Sequence, residues 1–305
     1  MGTPQAAVPT LRQCLDDGHE VVAVWTQPDR PAGRGHKLTI SPVKEFALSR
    51  GLEVFQPARI KNDEAKQVFA SHDAEVAVVV AYGKILPDEF LRAPRRGCIN
   101  VHFSLLPLYR GAAPANWAII NGETETGVTT MFIEPELDTG PILLQRKTPI
   151  GATETAPELM QRLAEIGAPL LGETLASLNE ITPRPQHDRD ATFAPILTKE
   201  DGLIDWSQSA SAIERRVRGL QPWPNAYTTF KSKRVTIWAA EAVAQWPHLD
   251  PPQGEVISTF AKNLTVGCGE STQLRITEVQ VEGGRRMTGR DFINGMHIVK
   301  GDRFG

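Results

Sequence analysis

Over the first 180 positions, short apolar runs alternate with amphipathic stretches. Positions 20–26, 52–55, 74–80 and 98–102 read as strands. Between them 43–49 and 63–70 carry helical spacing, and Pro9 opens an amphipathic helix that stops at Gly18. Near-continuously apolar strands alternating with helices belong to a parallel sheet covered on both faces. The fold class expected is therefore α/β, with a doubly wound, mostly parallel, Rossmann-like sheet. Such a sheet ordinarily opens on a strand that becomes central. Here a helix comes first, so the first strand is expected to be missing: either Met1 ends an upstream strand or another element fills the gap. Further on, 113–120 reads as a helix and 127–133 and 142–148 as strands. Leu159, Leu163, Ile166 and Leu170 then repeat at helical spacing, and Pro169 is expected to kink or interrupt that helix.

Periodicity breaks at 181–195, where Pro183, Pro185, Asp188, Arg189 and Asp190 read as a connection. After a short helix at 210–217 come strands at 227–230, 235–240, 254–258, 263–266 and 273–281, the spacing of a small β-barrel, OB-like in class. The expected organisation is a domain over 1–182, a linker over 183–204 and a barrel over 205–305.

Composition changes this picture in three places. With 41% hydrophobic and 23% charged residues the chain has globular composition. No apolar run approaches the ~18 residues of a membrane-spanning helix and no signal pattern opens the chain, so a cytoplasmic location is expected. Cys14, Cys98 and Cys268 are too scattered for a zinc site or a disulfide framework and read as reduced, buried thiols. Charge is uneven: 1–205 holds 20 Lys and Arg against 27 Asp and Glu, and 206–305 holds 13 against 9. A basic second region on an acidic chain points to a polyanionic partner, although a surplus of this size is also what a solvated face carries.

Candidate chemistry gathers at the end of the 98–102 strand. Asn100 and His102, two residues apart, project from one face of it. Asp138 follows in a Thr139-Gly140 turn that presents its carboxylate. Asn, His and Asp without a nearby Ser or Cys nucleophile suit direct transfer through an oxyanion-like state. The alternative for these residues is a strand end with a satisfied core histidine. A second feature is the long, Gly-containing connection 28–38, carrying Arg30, Arg34 and Lys37; it reads either as a partner-binding loop or as mobile surface.

These motifs carry a resemblance. The chain is similar, over nearly its whole length, to the methionyl-tRNA formyltransferase family. The match rests on Pro28-Asp29-Arg30-Pro31-Ala32-Gly33-Arg34-Gly35, Val80-Ala81-Tyr82-Gly83, Asn100-Val101-His102 with Ser104-Leu105-Leu106-Pro107, Tyr109-Arg110-Gly111, and Leu137-Asp138-Thr139-Gly140. Ile204-Asp205-Trp206 and Pro222-Trp223-Pro224 extend it into the second region. The trio with Ser-Leu-Leu-Pro is common to folate-dependent formyltransferases; the basic loop and barrel narrow the acceptor to aminoacyl-tRNA.

The resemblance implies transfer of a formyl group from 10-formyltetrahydrofolate to the α-amino group of methionyl-initiator tRNA, without a metal and by a monomer. Asn100 and His102 would donate to the developing oxyanion, and Asp138 would orient His102 and relay a proton. Folate would be held by Val80, Ala81, Tyr82, Gly83, Ile85, Leu86, Ser104, Leu105, Leu106, Pro107, Leu137 and Gly140, mainly through backbone, with Leu106-Pro107 cis. Arg30, Arg34 and Lys37 would meet the acceptor end of the tRNA, and Lys231, Lys233, Arg234, Arg285 and Arg286 its phosphates. Two departures stand out: Phe103 where a small residue is usual, and His36 where lysine is frequent. Rival readings are formylation of a nucleotide-linked amino sugar, formyl-folate hydrolysis, and a catalytically silent RNA-binding protein.

Overall fold

The computed structural model describes residues 1–32, 37–243 and 252–305. Two compact units emerge, the first built from 1–114, 125–149 and 159–195 and the second from 115–124, 150–158 and 196–305.

The strands of the first unit are β1 (Val24–Trp25), β2 (Arg30–Ala32), β3 (Lys37–Thr39), β4 (Val54–Phe55), β5 (Ala77–Val79), β6 (Cys98–His102), β7 (Arg110–Gly111), β8 (Glu125–Phe132), β9 (Ile142–Pro149) and β10 (Phe193–Ala194). Its helices are α1 (Val8–Asp16), α2 (Pro42–Ser49), α3 (Asp63–Ser71) and α4 (Asp88–Arg92), with most of α6 (Ala156–Ala176); α5 (Pro114–Asn121) lies almost wholly in the second unit. β1 pairs with β4 and β5 with β6 in parallel, whereas β6–β8 and β8–β9 are antiparallel. For β8–β9 the antiparallel sense follows from chain length. The β8–β9 connection is too short for the dozen or more residues a parallel crossover requires. Helix α6 runs through Pro169 without interruption, contrary to the expected break. β2 and β3 form a hairpin at the base of the basic connection.

One junction divides this sheet. Gly2 bridges Val80 in parallel, its N–H donates to the Trp25 carbonyl at 3.0 Å, and Val80 N–H donates to the Met1 carbonyl at 2.9 Å. Residues 1–2 therefore hold the central position between β1 and β5. Before them lies a cavity of about 430 Å³ lined by Val22, Val24, Val76, Val78 and Leu11. Val24 and Thr26 donate to carbonyls at 53 and 55, so by alternation the N–H groups of Ala23 and Trp25 face the cavity. The expected strands at 20–26 and 74–80 shorten to 24–25 and 77–79 at this gap. The Met1 ammonium is buried there, donating to Val78 O at 2.7 Å, and desolvation lowers its pKa to about 6. Beside it, Trp25, Phe69, Phe90 and Tyr82 belong to one core cluster.

The second unit is an antiparallel sheet in the order β11 (Ala226–Phe230), β12 (Lys233–Val243), β15 (Gln273–Val281), β14 (Leu264–Gly267), β13 (Val256–Ser258), with β16 (Arg286–Thr288) also on β15. Helices α7 (Ala210–Gly219) and α8 (Gly289–Met296) accompany it. Phe230, Phe292, Phe304 and Trp206 pack as an aromatic core. The three cysteines are free and buried; desolvation raises the Cys14 thiol to about 11 and those of Cys98 and Cys268 to about 12.

Candidate active site

β6 carries Asn100 and His102 on one face because its alternation is intact up to the strand end, opposite Met131 and Thr129 of β8. Asn100 is half-buried, and its side chain makes no hydrogen bond among the described residues, so its amide is free to meet a ligand. His102 is buried, and its Nε2 lies 3.0 Å from the Tyr109 carbonyl. A carbonyl only accepts, so Nε2 carries a proton. The other ring nitrogen, Nδ1, lies 3.8 Å from Asp138 Oδ2, within ion-pair reach but beyond a direct hydrogen bond.

The β8–β9 connection brings Asp138 to this place. Asp138 has φ 54°, a left-handed conformation that Asp tolerates better than most residues but which still needs outside support. That support is visible. Its Oδ2 accepts from Gly111 N–H at 2.8 Å, and Gln186 Nε2 donates to the carbonyls of Asp138 (2.9 Å) and Gly140 (2.8 Å). At Gly140 any Cβ would overlap the Phe132 carbonyl, so only glycine fits.

The corner 104–107 is a scaffold. Leu106–Pro107 is cis, Ser104 Oγ donates to Leu108 O at 2.6 Å, and Thr129 Oγ1 donates to Ser104 O at 2.7 Å while accepting from Leu106 N–H at 3.2 Å. Gln145 Nε2 closes the knot on Leu106 O and Thr129 Oγ1. Leu106 packs with Met131 and Ile142. Leu105 and Pro107 are half-buried.

Around 80–86 the side chains of Val80, Tyr82 and Leu86 are spent on the core, and the Tyr82 carbonyl accepts from Thr3 Oγ1 and Gln27 Nε2. Ala81 (φ 46°) and Gly83 (φ 80°) turn the backbone outward. Ile85 and Leu137 are 71% and 63% exposed, unusual for large apolar groups and available to an apolar ligand.

Of the basic residues, Arg30 is exposed and reaches Gln27 at 3.4 Å; Arg34 and the Lys37 side chain lie outside the described residues, as does His36. In the second unit Arg234 lies over the Tyr227 ring at 3.6 Å and Arg286 over Trp238 at 3.4 Å. Register aligns Tyr227, Thr236, Gln280 and Arg286 across one sheet face, and Trp238 Nε1 donates to Gln280 at 3.1 Å. Lys233 and Arg285 are exposed, while Lys231 is tied to Met296 O at 3.1 Å and to Asp302 at 3.7 Å.

Sequence reasoning did not single out Gln186, Asp188, Thr129 or Gln145. Arg110, quoted only within a motif, is 4% exposed; its Nε donates to Gln186 Oε1 at 3.0 Å and its Nη1 to Asp188 at 2.9 Å. Residues 184–194, read as part of a connection, are bonded onto this site through the Ile142–Arg184 bridge and the β7–β10 pair. Among the described residues no cluster of His, Cys, Asp and Glu is arranged to hold a metal.

The formyl transferase family model matches residues 1–175, and the model of its C-terminal domain matches 196–297. The chain belongs to the formyl transferase family. Within it, the methionyl-tRNA formyltransferase of Caldanaerobacter subterraneus subsp. tengcongensis is 50% identical, the match covering 99% of this chain and 97% of that one. The protein of that name from Solibacter usitatus is 49% identical over 100% and 97%. Among solved structures, the sugar 3N-formyl transferase WlaRD, crystallised with dTDP and 5-N-formyl-THF, aligns with a TM-score of 0.66 at 18% identity, covering 90% of this formyl transferase and 94% of WlaRD. At that identity the likeness speaks for the fold.

Proposed function

We propose that this formyl transferase moves the formyl group of 10-formyltetrahydrofolate onto the α-amino group of methionyl-initiator tRNA. The observation that carries the chemistry is the free Asn100 amide beside a His102 whose Nδ1 faces Asp138. The neutral amine attacks the formyl carbon, forming a C–N bond and placing negative charge on oxygen. Asn100 and His102 donate to that oxygen. As the tetrahedral species collapses, the bond to N10 breaks and N10 gains a proton. Asp138, acting with His102, takes the proton leaving the attacking nitrogen and passes it on, directly or through water.

Backbone groups at 80–86 and 134–140 suit the polar edge of a pterin, with Ile85 and Leu137 against its apolar portion and the 104–107 corner fixing the wall. Arg30 and the loop beyond it serve the acceptor end, and Arg234 and Arg286, held over aromatic rings, serve phosphates. Full-length similarity to proteins named methionyl-tRNA formyltransferase favours tRNA over a sugar nucleotide. A cytoplasmic monomer with an OB-like second domain, divided near 182 and 205, completes this reading. Incubation with 10-formyltetrahydrofolate and charged initiator tRNA should yield formyl-methionine; a charged tRNA left unformylated would contradict it.

For the sheet, the cavity before Gly2 supports a strand of about five residues, the common length, running parallel into Met1. Ala23 and Trp25 N–H groups on one side and Val78 on the other would pair with it. A version extended upstream by its own in-frame residues should unfold at higher temperature; an unchanged midpoint would remove this element of the proposal.

A further inference from the structure

Buried Arg110 and half-buried Gln186 form a strut behind Asp138 that none of the transfer steps uses. Gln186 spends both halves of its amide: Nε2 donates to the carbonyls of Asp138 and Gly140, and Oε1 accepts from Arg110 Nε. Arg110 is in turn fixed by its own N–H on Thr192 O at 2.9 Å and by Nη1 on Asp188. Its Nη2 is buried and unpartnered, so the guanidinium is held by position and not by a full set of acceptors.

The strut acts on a residue that cannot hold itself. Asp138 sits in the left-handed region inside a connection with glycine on one side of the turn, and its carboxylate has one firm bond, from Gly111 N–H. Such a conformation persists only where neighbouring contacts over-determine it. Gln186 supplies two of those contacts from a segment more than forty residues away in sequence.

We infer that Gln186, braced by Arg110, is a positioning residue: it sets the Asp138 carboxylate against His102 Nδ1 and so governs the rate of formyl transfer without touching either substrate. The inference rests on the reading of Asp138 as the proton-handling carboxylate. A donor is required at Gln186 Nε2, because both of its targets are carbonyls. The Arg110 side needs only an acceptor.

That asymmetry supplies the test. Gln186→Glu preserves the acceptor toward Arg110, and adds charge to that contact, but turns a donor into an acceptor facing two carbonyls. Gln186→Ala removes both ends. Formylation of methionyl-initiator tRNA is measured for wild type and both variants, together with KM for tRNA and the thermal midpoint. Both variants should lose turnover by about 10- to 100-fold, the effect of a displacement near 1 Å, with KM for tRNA changed by less than about twofold. Gln186→Glu should keep a midpoint close to wild type. If Gln186→Glu turns over at the wild-type rate, or if activity falls only in proportion to lost folded protein, the positioning role is overturned. A wild type that does not formylate overturns the functional reading, and the inference with it.

Discussion

The strand end of the first unit and the open sheet face of the second solve opposite problems. At the strand end, Asp138, His102 and Leu106 are tied by bonds from four directions, Gly111, Gln186, Tyr109 and Thr129, which hold the strand end in one geometry. On the sheet face, Arg234 and Arg286 are exposed, and their guanidinium groups lie over the Tyr227 and Trp238 rings. Stacking restrains those cations without burying their charge, which suits attraction of phosphate. On the proposed reading, order at the first region governs rate and charge at the second governs affinity.

The largest effect that can break this contrast is at Asn100. Asn100→Ala removes an oxyanion donor and should cost about 10²- to 10³-fold in turnover. His102→Ala should act in the same direction, and Asp138→Asn, which keeps shape but loses the basic oxygen, should also slow turnover; pre-steady-state formylation kinetics check both. An intermediate effect is expected on the other side. The double variant Arg234→Ala, Arg286→Ala should weaken tRNA binding and lower the slope of log affinity against log salt by about 2, while turnover at saturating tRNA stays near wild type. Equal losses in turnover would merge the two regions into one.

Much of the first region was legible in sequence because its physics is local. Period-2 spacing fixes Asn100 and His102 on one face of β6, and a Thr-Gly turn announces Asp138. That these meet depends on an antiparallel β8–β9 pair, which only the brevity of the connection signals. Gln186 and Arg110 were illegible as a strut. A Pro- and Asp-rich stretch has the same composition whether it floats in solvent or is laced to a catalytic turn, and only the tertiary bonds distinguish the cases. In the second unit the surplus of positive charge is countable, while the stacking depends on which strand face each cation shares. The signal was present nonetheless, since Arg234, Thr236 and Trp238 alternate along one strand face.

The division between rate and affinity is tested most directly by one comparison: single-turnover formylation and tRNA dissociation constants for wild type and Asn100→Ala. The account expects a rate reduced by about 100-fold or more with the dissociation constant unchanged within about twofold. A normal rate, or a loss of tRNA affinity that accounts for the whole defect, would contradict it.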